Sequence, residues 1–195
     1  RLLIVSEQGL GDTMLHMRYV YHLIKQGYNI SFCAQAKLHS LIKISGIHPE
    51  PLTPEQANLT SEGKWVPLLS LAKYLRIKPD YPIISAPYIS TTETLIGKWK
   101  EILSKGKKPV IGINWQGNPI LEKQTYQGRS IPLEYFSKLL EDNDVELLSL
   151  QKGFGSEQLL KCSFKEKFVC CQNQINLVWD FLETAAIIDN CDLII

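Results

Sequence analysis

Glu7-Gln8-Gly9-Leu10-Gly11-Asp12-Thr13 decides how the rest of the chain is read. Before it stands Leu2-Leu3-Ile4-Val5, an apolar run of the length and β-branched content of a buried parallel strand; after it, Met14 to Ile24 reads as a helix. A glycine-rich strand-to-helix turn is where an α/β sheet receives its ligand, because helix N-terminal N–H groups are unsatisfied and glycine lets a ligand approach the backbone. Two familiar ligands do not fit. A dinucleotide fingerprint needs a third glycine where this chain has Met14, and an acidic residue after the second strand where it has Cys33-Ala34-Gln35. The phosphate loop of NTPases needs Gly-Lys-Ser/Thr, whereas Gly11 is followed by Asp12-Thr13. Asp12 is the unusual residue. The helix dipole favours a carboxylate there, and it could accept a proton from a bound hydroxyl. On these residues alone the simpler reading is an N-cap, although Leu15 supplies no capping box.

The 195 residues, 45% hydrophobic, suffice for one large domain or two small ones. Twenty-one basic against twenty acidic side chains give a charge of +1, which marks no binder of nucleic acid or of an acidic membrane. Five cysteines without CxxC spacing, two of them adjacent at Cys170-Cys171, argue for reduced thiols in the cytoplasm and against a zinc site. No apolar run reaches the roughly 20 residues that span a bilayer. Strand-like runs at both ends suggest a piece of a longer polypeptide.

Outward from the opening turn the alternation of strand and helix continues. A second strand is expected over 29–33, a helix over 38–44, a polar loop over 53–63, a strand over 65–69 and a helical turn over 71–75. Pro79, Pro82 and Pro87 make 77–88 a loop leading out of the first half. A helix over 92–104 ends in the basic run Lys105-Gly106-Lys107-Lys108, read as a solvated turn. The second series has strands at 109–114, 145–150, 168–171 and 193–195, and helices at 132–140, 156–160 and 177–189. Such alternation implies parallel sheets with right-handed crossovers, in two Rossmann-like halves joined near residues 88–95.

The strand ends of the second half are polar. The first delivers Trp115-Gln116-Gly117-Asn118, a following loop carries Gly128-Arg129-Ser130, and the next strand delivers Gln151-Lys152-Gly153. Ligands sit beyond the carboxyl ends of parallel strands, so Asn118, Arg129, Ser130, Gln151 and Lys152 are expected to converge on one anion. Arg129 alone would read as a surface salt bridge; beside Lys152 on an adjacent loop, phosphate binding is the better reading. Trp115 would stack on a base or sugar, or simply fill the core. Asp142-Asn143-Asp144 spells a metal-binding Asp-x-Asp but lies in a polar turn, and His16, His22, His39 and His48 lack metal-ligand spacing, so no metal is expected.

EQGLGDT (7–13) with Arg18-Tyr19, IGINWQGNP (111–119), GRSIPL (128–133), SLQKG (149–153) with GSEQL (155–159), and ETAAIIDNCDLII (183–195) together resemble a known family. It is the glycosyltransferase-like domain that follows tetratricopeptide repeats in many bacterial proteins, similar to the heptosyltransferases and more distantly to the repeat-bearing O-GlcNAc transferases. The resemblance implies an α/β GT-B-like fold of two Rossmann-like domains with parallel sheets, the second truncated at its C-terminus: an acceptor-side domain over 1–90 and a donor-side domain over 91–195. It implies a nucleotide-sugar donor, a glycan or protein acceptor, no cofactor and no metal. Asp12 then matches the general base of an inverting transfer, with Gly9, Gly11, Trp115 and Gly117 in the loops around the substrates, and Asn118, Arg129, Ser130, Gln151 and Lys152 where donor contacts are expected. The alternatives are a non-catalytic sugar- or nucleotide-binding domain of a repeat protein and, more weakly, a nucleotide-sugar epimerase.

Overall fold

The computed structural model describes residues 1–7, 9–60, 63–78, 80, 86–103, 108–124 and 128–195. The chain divides into two compact units, Arg1–Thr92 with Asp180–Ala185, and Glu93–Trp179 with Ala186–Ile195. Each contains a parallel three-stranded sheet, so the architecture is α/β.

In the first unit β1 (Leu2–Val5) lies between β2 (Ile30–Cys33) and β3 (Lys64–Pro67) in the order β2-β1-β3, with Ile4 opposite Phe32 on one side and Val66 on the other. Side chains alternate along a strand, so these three share a face, where they bury against Met17 and Val20 of α1 (Leu10–Lys25) and against Leu41 and Ile42 of α2 (His39–Ile44). Full burial of one such aliphatic side chain stabilises by about 1.5–3 kcal/mol.

Two expectations are corrected here. Helix α1 begins at Leu10 rather than Met14, so Asp12 is not the N-cap but the third residue of the helix. Gly9 is the cap, and its N–H donates to Asp12 Oδ2 at 3.2 Å. The glycines read as loop residues thus stand at and inside the first helical turn. The polar loop at 53–63 contains α3 (Pro54–Asn58), entered through a capping box: Gln56 N–H donates to Thr53 Oγ1 at 3.3 Å and Thr53 N–H to Gln56 Oε1 at 2.9 Å. Thr-Pro-x-Gln carries that signature in the sequence, with proline at the first helical position. After β3 come a 3-10 turn (Leu68–Ser70) and α4 (Leu71–Tyr74). Much of the proline-rich segment, Pro79 and 81–85, lies outside the described residues; beyond it Tyr88 returns to α1, with the Arg18 guanidinium carbon 4.8 Å from its ring centroid.

The second unit opens with α5 (Glu93–Leu103); residues 104–107, most of the basic run, lie outside the described residues. Its sheet has the order β5-β4-β6, from β4 (Val110–Ile113), β5 (Glu146–Ser149) and β6 (Leu193–Ile194). Both faces are covered. Val110 and Leu148 pack with Trp99 of α5, Ile175 and Ala186, while Ile111, Ile113 and Leu147 pack with Trp115, Leu133, Phe136 and Phe164. A Cβ on Gly112 would stand 2.6 Å from Ile194 Cδ1, so the close approach of β6 requires glycine at the centre of β4.

Three further expectations change. An unanticipated helix, α6 (Pro119–Gln124), follows Asn118, and Leu133–Leu140 is a 3-10 helix. Residues 168–171 form only a bridge, between Phe168 and Leu147, instead of a strand. The helix expected over 177–189 begins at Phe181 instead, as α8 (Phe181–Asp189), and an unanticipated helix, α7 (Gln172–Leu177), precedes it. Asp180 sets that start, because its Oδ1 accepts the Glu183 N–H at 3.1 Å and opens α8.

Cys170 is exposed, whereas Cys33, Cys162 and Cys171 are buried and Cys191 is partly so. Burial pushes the Cys33 and Cys162 thiols up from their ordinary range, and that of Cys191 from 9.0 to about 11. A raised thiol pKa in the folded state contributes stability below the ordinary value that is lost as pH rises through the folded one. The melting temperature is therefore expected to fall between pH 9 and about 11, and to fall less in Cys191→Ala. Equal slopes in the two proteins would contradict the assignment. A thiol reagent at pH 8 should modify Cys170 first, and Cys33, Cys162 and Cys171 only on unfolding.

Candidate functional site

The carboxyl edge of the first sheet brings together Glu7, Gly9, Gly11, Asp12 and Thr13. Glu7, which sequence reasoning passed over, accepts the N–H groups of Leu68 at 3.0 Å and Leu69 at 3.4 Å, holding the turn after β3 to the end of β1. Thr13 is fully buried, its hydroxyl 3.0 Å from Gln35 Oε1 and 3.3 Å from the Gly9 carbonyl, which fixes the start of α1 to the end of β2. Between these anchors Asp12 is exposed. One carboxylate oxygen receives the Gly9 N–H, and the Asp12 carbonyl meets His16 Nδ1 at 2.9 Å. The capping contact orients the carboxylate without enclosing it. Gly9 has little spare room, since a Cβ there would stand 3.3 Å from Asp12 Oδ2. Above Gly11 a Cβ would meet nothing within 4 Å, so the surface beside Asp12 is open.

At the carboxyl edge of the second sheet the loops interlock around Gly117. Its N–H donates to Ser130 Oγ at 3.0 Å, and the Ser130 hydroxyl donates to Glu122 Oε1 at 2.5 Å. A Cβ on Gly117 would stand 2.8 Å from that same Glu122 oxygen and 3.5 Å from the Arg129 guanidinium carbon, so both charged groups flank the glycine. Asn118 Oδ1 accepts the Ile120 N–H at 2.9 Å and caps α6. Arg129 is exposed, and a carboxylate shares its neighbourhood.

Gln151 is 4% exposed and holds the loop between β4 and α6 from within. Its Oε1 accepts the N–H groups of Trp115 at 3.2 Å and Gln116 at 2.9 Å; its Nε2 donates to the carbonyls of Gln116 at 3.0 Å and Phe154 at 2.6 Å. Both lone pairs and both protons are used, so the expectation that Gln151 touches a donor is replaced by a role as strut. Of the two readings of Trp115, the structure shows the core one. It is 3% exposed within the core and its indole N–H donates to the Gly155 carbonyl at 3.1 Å, which leaves no face for stacking on a ligand. Lys152 donates to the Val178 carbonyl.

Sequence reasoning also missed Gln116 and Gln158. Gln158 donates to Gln116 Oε1 at 3.0 Å and accepts the Leu133 N–H at 2.9 Å, while Gln172 donates to the Gln151 carbonyl at 3.1 Å. Gly155, at φ +87°, leaves room for Gln116, whose Oε1 would be 2.6 Å from a Cβ there. The visible signal was a glutamine at or just past three strand ends, Gln35, Gln116 and Gln151.

Asp142 adopts φ +63°, and Asp144 pairs with Lys108, so the Asp-x-Asp segment is a turn. The His48 ring meets the Ile30 carbonyl and the Glu50 N–H. Among the described residues no three His, Cys, Asp or Glu side chains are grouped to hold a metal ion, and no helix is long and apolar enough to cross a membrane.

No protein-family model matches the chain, and no curated protein sequence matches it. Among solved structures it is similar to the E. coli ADP-heptose LPS heptosyltransferase II, with a TM-score of 0.47 and 11% identity, covering 100% of this chain and 78% of that one.

Proposed function

We propose that this chain is a metal-independent, inverting glycosyltransferase domain of GT-B type, taking a nucleotide-sugar donor on residues 91–195 and an acceptor hydroxyl on residues 1–90. The observation that carries the reading is Asp12: an exposed carboxylate oriented by one backbone N–H beside the open surface over Gly11. The ordered motifs from EQGLGDT to ETAAIIDNCDLII support it. Asp12 takes the proton of the acceptor hydroxyl as that oxygen attacks the anomeric carbon. The bond to the diphosphate breaks on the opposite face, and the nucleoside diphosphate leaves with its electron pair. Arg129 meets the developing charge, and Lys152 joins it by leaving the Val178 carbonyl. Asn118, Ser130 and Gln151 act through the loop they hold. The acceptor is a glycan or a protein, tetratricopeptide repeats in the same polypeptide would present it, and the compartment is the cytoplasm.

The test is release of nucleoside diphosphate from a panel of ADP-, GDP-, UDP- and dTDP-sugars by the full-length protein. Glu122 beside Arg129 favours a second reading, a non-catalytic binding domain, because a carboxylate there competes with phosphate. Calorimetric binding of a nucleotide sugar with no diphosphate released would select it.

Gly11→Ala separates structure from use. The added methyl has room in the free protein and should stabilise α1 by up to about 0.5–1 kcal/mol, raising the melting temperature. An acceptor occupying that surface should then show a higher KM. A variant both more stable and fully active would show that the open surface is not used.

A further inference from the structure

The first unit contains a cavity of about 400 Å³ at the amino edge of its sheet, the other end of β1 from Asp12. None of the residues placed in the proposed transfer site lines it, and its size falls within the range of small-molecule sites, roughly 300–1,000 Å³. Two buried side chains build its floor. Ser31, 3% exposed, accepts the Arg1 Nε–H at 2.6 Å, which holds the guanidinium at the cavity and leaves its terminal nitrogens without a partner among the described residues. His48, 8% exposed, accepts the Glu50 N–H on Nδ1 at 3.1 Å and meets the Ile30 carbonyl through Nε2 at 3.1 Å, so the backbone that carries Glu50 is fixed to the start of β2. The Glu50 carboxylate has no hydrogen bond or ion pair among the described residues. Arg1 and Glu50 thus line one cavity without pairing with each other.

Two opposite charges select the ligand. Anything that covers the cavity takes water from both at once, and a charge without water needs a partner. A phosphate or a fatty acid would set its negative charge against Glu50, and a simple amine would set its positive charge against Arg1. A sugar brings no charge for either, and no Phe, Tyr or Trp lines the cavity to take its C–H face. A molecule with one carboxylate and one ammonium group answers both. We propose that this cavity takes a small zwitterion, a free α-amino acid or a dipeptide, its carboxylate on the Arg1 guanidinium, its ammonium on the Glu50 carboxylate and an aliphatic side chain against Leu52. The inference needs only the first unit and depends neither on Asp12 nor on sugar transfer. Which of the two zwitterions is the occupant is read from the same experiment.

The experiment is calorimetric titration of the full-length protein with leucine, glycylleucine, N-acetylleucine and leucinamide, in wild type, Arg1→Gln and Glu50→Gln. Both substituted residues are exposed, so both variants should fold with near-native melting temperatures. Leucine or glycylleucine should bind wild type saturably, and the tighter of the two identifies the occupant. N-acetylleucine lacks the ammonium group and leucinamide the carboxylate, so each should bind at least about tenfold more weakly, the worth of one charge-assisted hydrogen bond. Glu50→Gln should weaken the zwitterion about tenfold and leave N-acetylleucine unchanged, while Arg1→Gln should weaken it likewise and leave leucinamide unchanged. Crossed losses of this kind assign each charge to its partner. The proposal is overturned if neither zwitterion binds, if the blocked forms bind as tightly as leucine, or if either substitution leaves zwitterion binding unchanged. Absence of binding together with a lowered melting temperature in Glu50→Gln would show instead that the two charges serve each other.

Discussion

Asp12→Asn is expected to lower turnover of a nucleotide sugar by about 10²–10⁴-fold, the usual contribution of a general base, with donor affinity little changed. The substitution is chosen for what it preserves. Asn keeps a side-chain oxygen that can accept the Gly9 N–H now received by Asp12 at 3.2 Å, so the first turn of α1 retains its cap contact. What it removes is the capacity to take a proton, together with a charge at the positive end of a helix worth about 0.3–1 kcal/mol of stability. A loss of turnover with a near-native melting temperature and unchanged calorimetric binding assigns the base. Turnover equal to wild type would end the catalytic role of Asp12, and with it the observation on which the transferase reading chiefly rests.

The largest expected effect on stability is at Gln151. Gln151→Leu keeps the approximate volume but leaves two buried or half-buried N–H groups, of Trp115 and Gln116, without their acceptor, and the carbonyls of Gln116 and Phe154 without their donor. Unsatisfied buried groups cost about 1–3 kcal/mol each, and partial relief by water brings the expected total to roughly 3–5 kcal/mol. Denaturant unfolding should read this directly. The adjacent Lys152 is exposed, and Lys152→Ala should change stability little. A Gln151→Leu loss below about 1 kcal/mol would show that the loop is held by other contacts. Because the same loop carries Gly117 and leads into α6, the variant should also weaken nucleoside diphosphate binding.

The parts of the fold legible in the sequence are those set by local pattern. β1, β2, β4 and β5 appear as apolar runs, and the short helix expected over 156–160 has the bounds of the 3-10 turn Ser156–Leu160. The errors fall where a single side chain overrides the pattern. Asp12 extends α1 back to Leu10, Thr53 with Gln56 turns an expected loop into α3, and Asp180 starts α8 at Phe181 rather than at Leu177. At the site, Gly117 donates to Ser130 and lies beside Arg129, but spacing alone does not show how these polar groups are used. Residue type announces that a glutamine can bind; only the geometry shows Gln151 already saturated and Trp115 with its ring in the core. Lys152 donates to the Val178 carbonyl and Arg129 lies beside Gly117, placements set by packing that no periodicity encodes.

The loops of the second unit are tied largely by uncharged amides: Gln116, Gln151, Gln158 and Gln172. Amides neither titrate nor respond to ionic screening, so this framework keeps one protonation state across the range in which an enzyme is assayed. These four amides contribute nothing to a pH–rate profile, whereas the Glu122 carboxylate, which accepts the Ser130 hydroxyl beside Gly117, ties the same loop with a charged group.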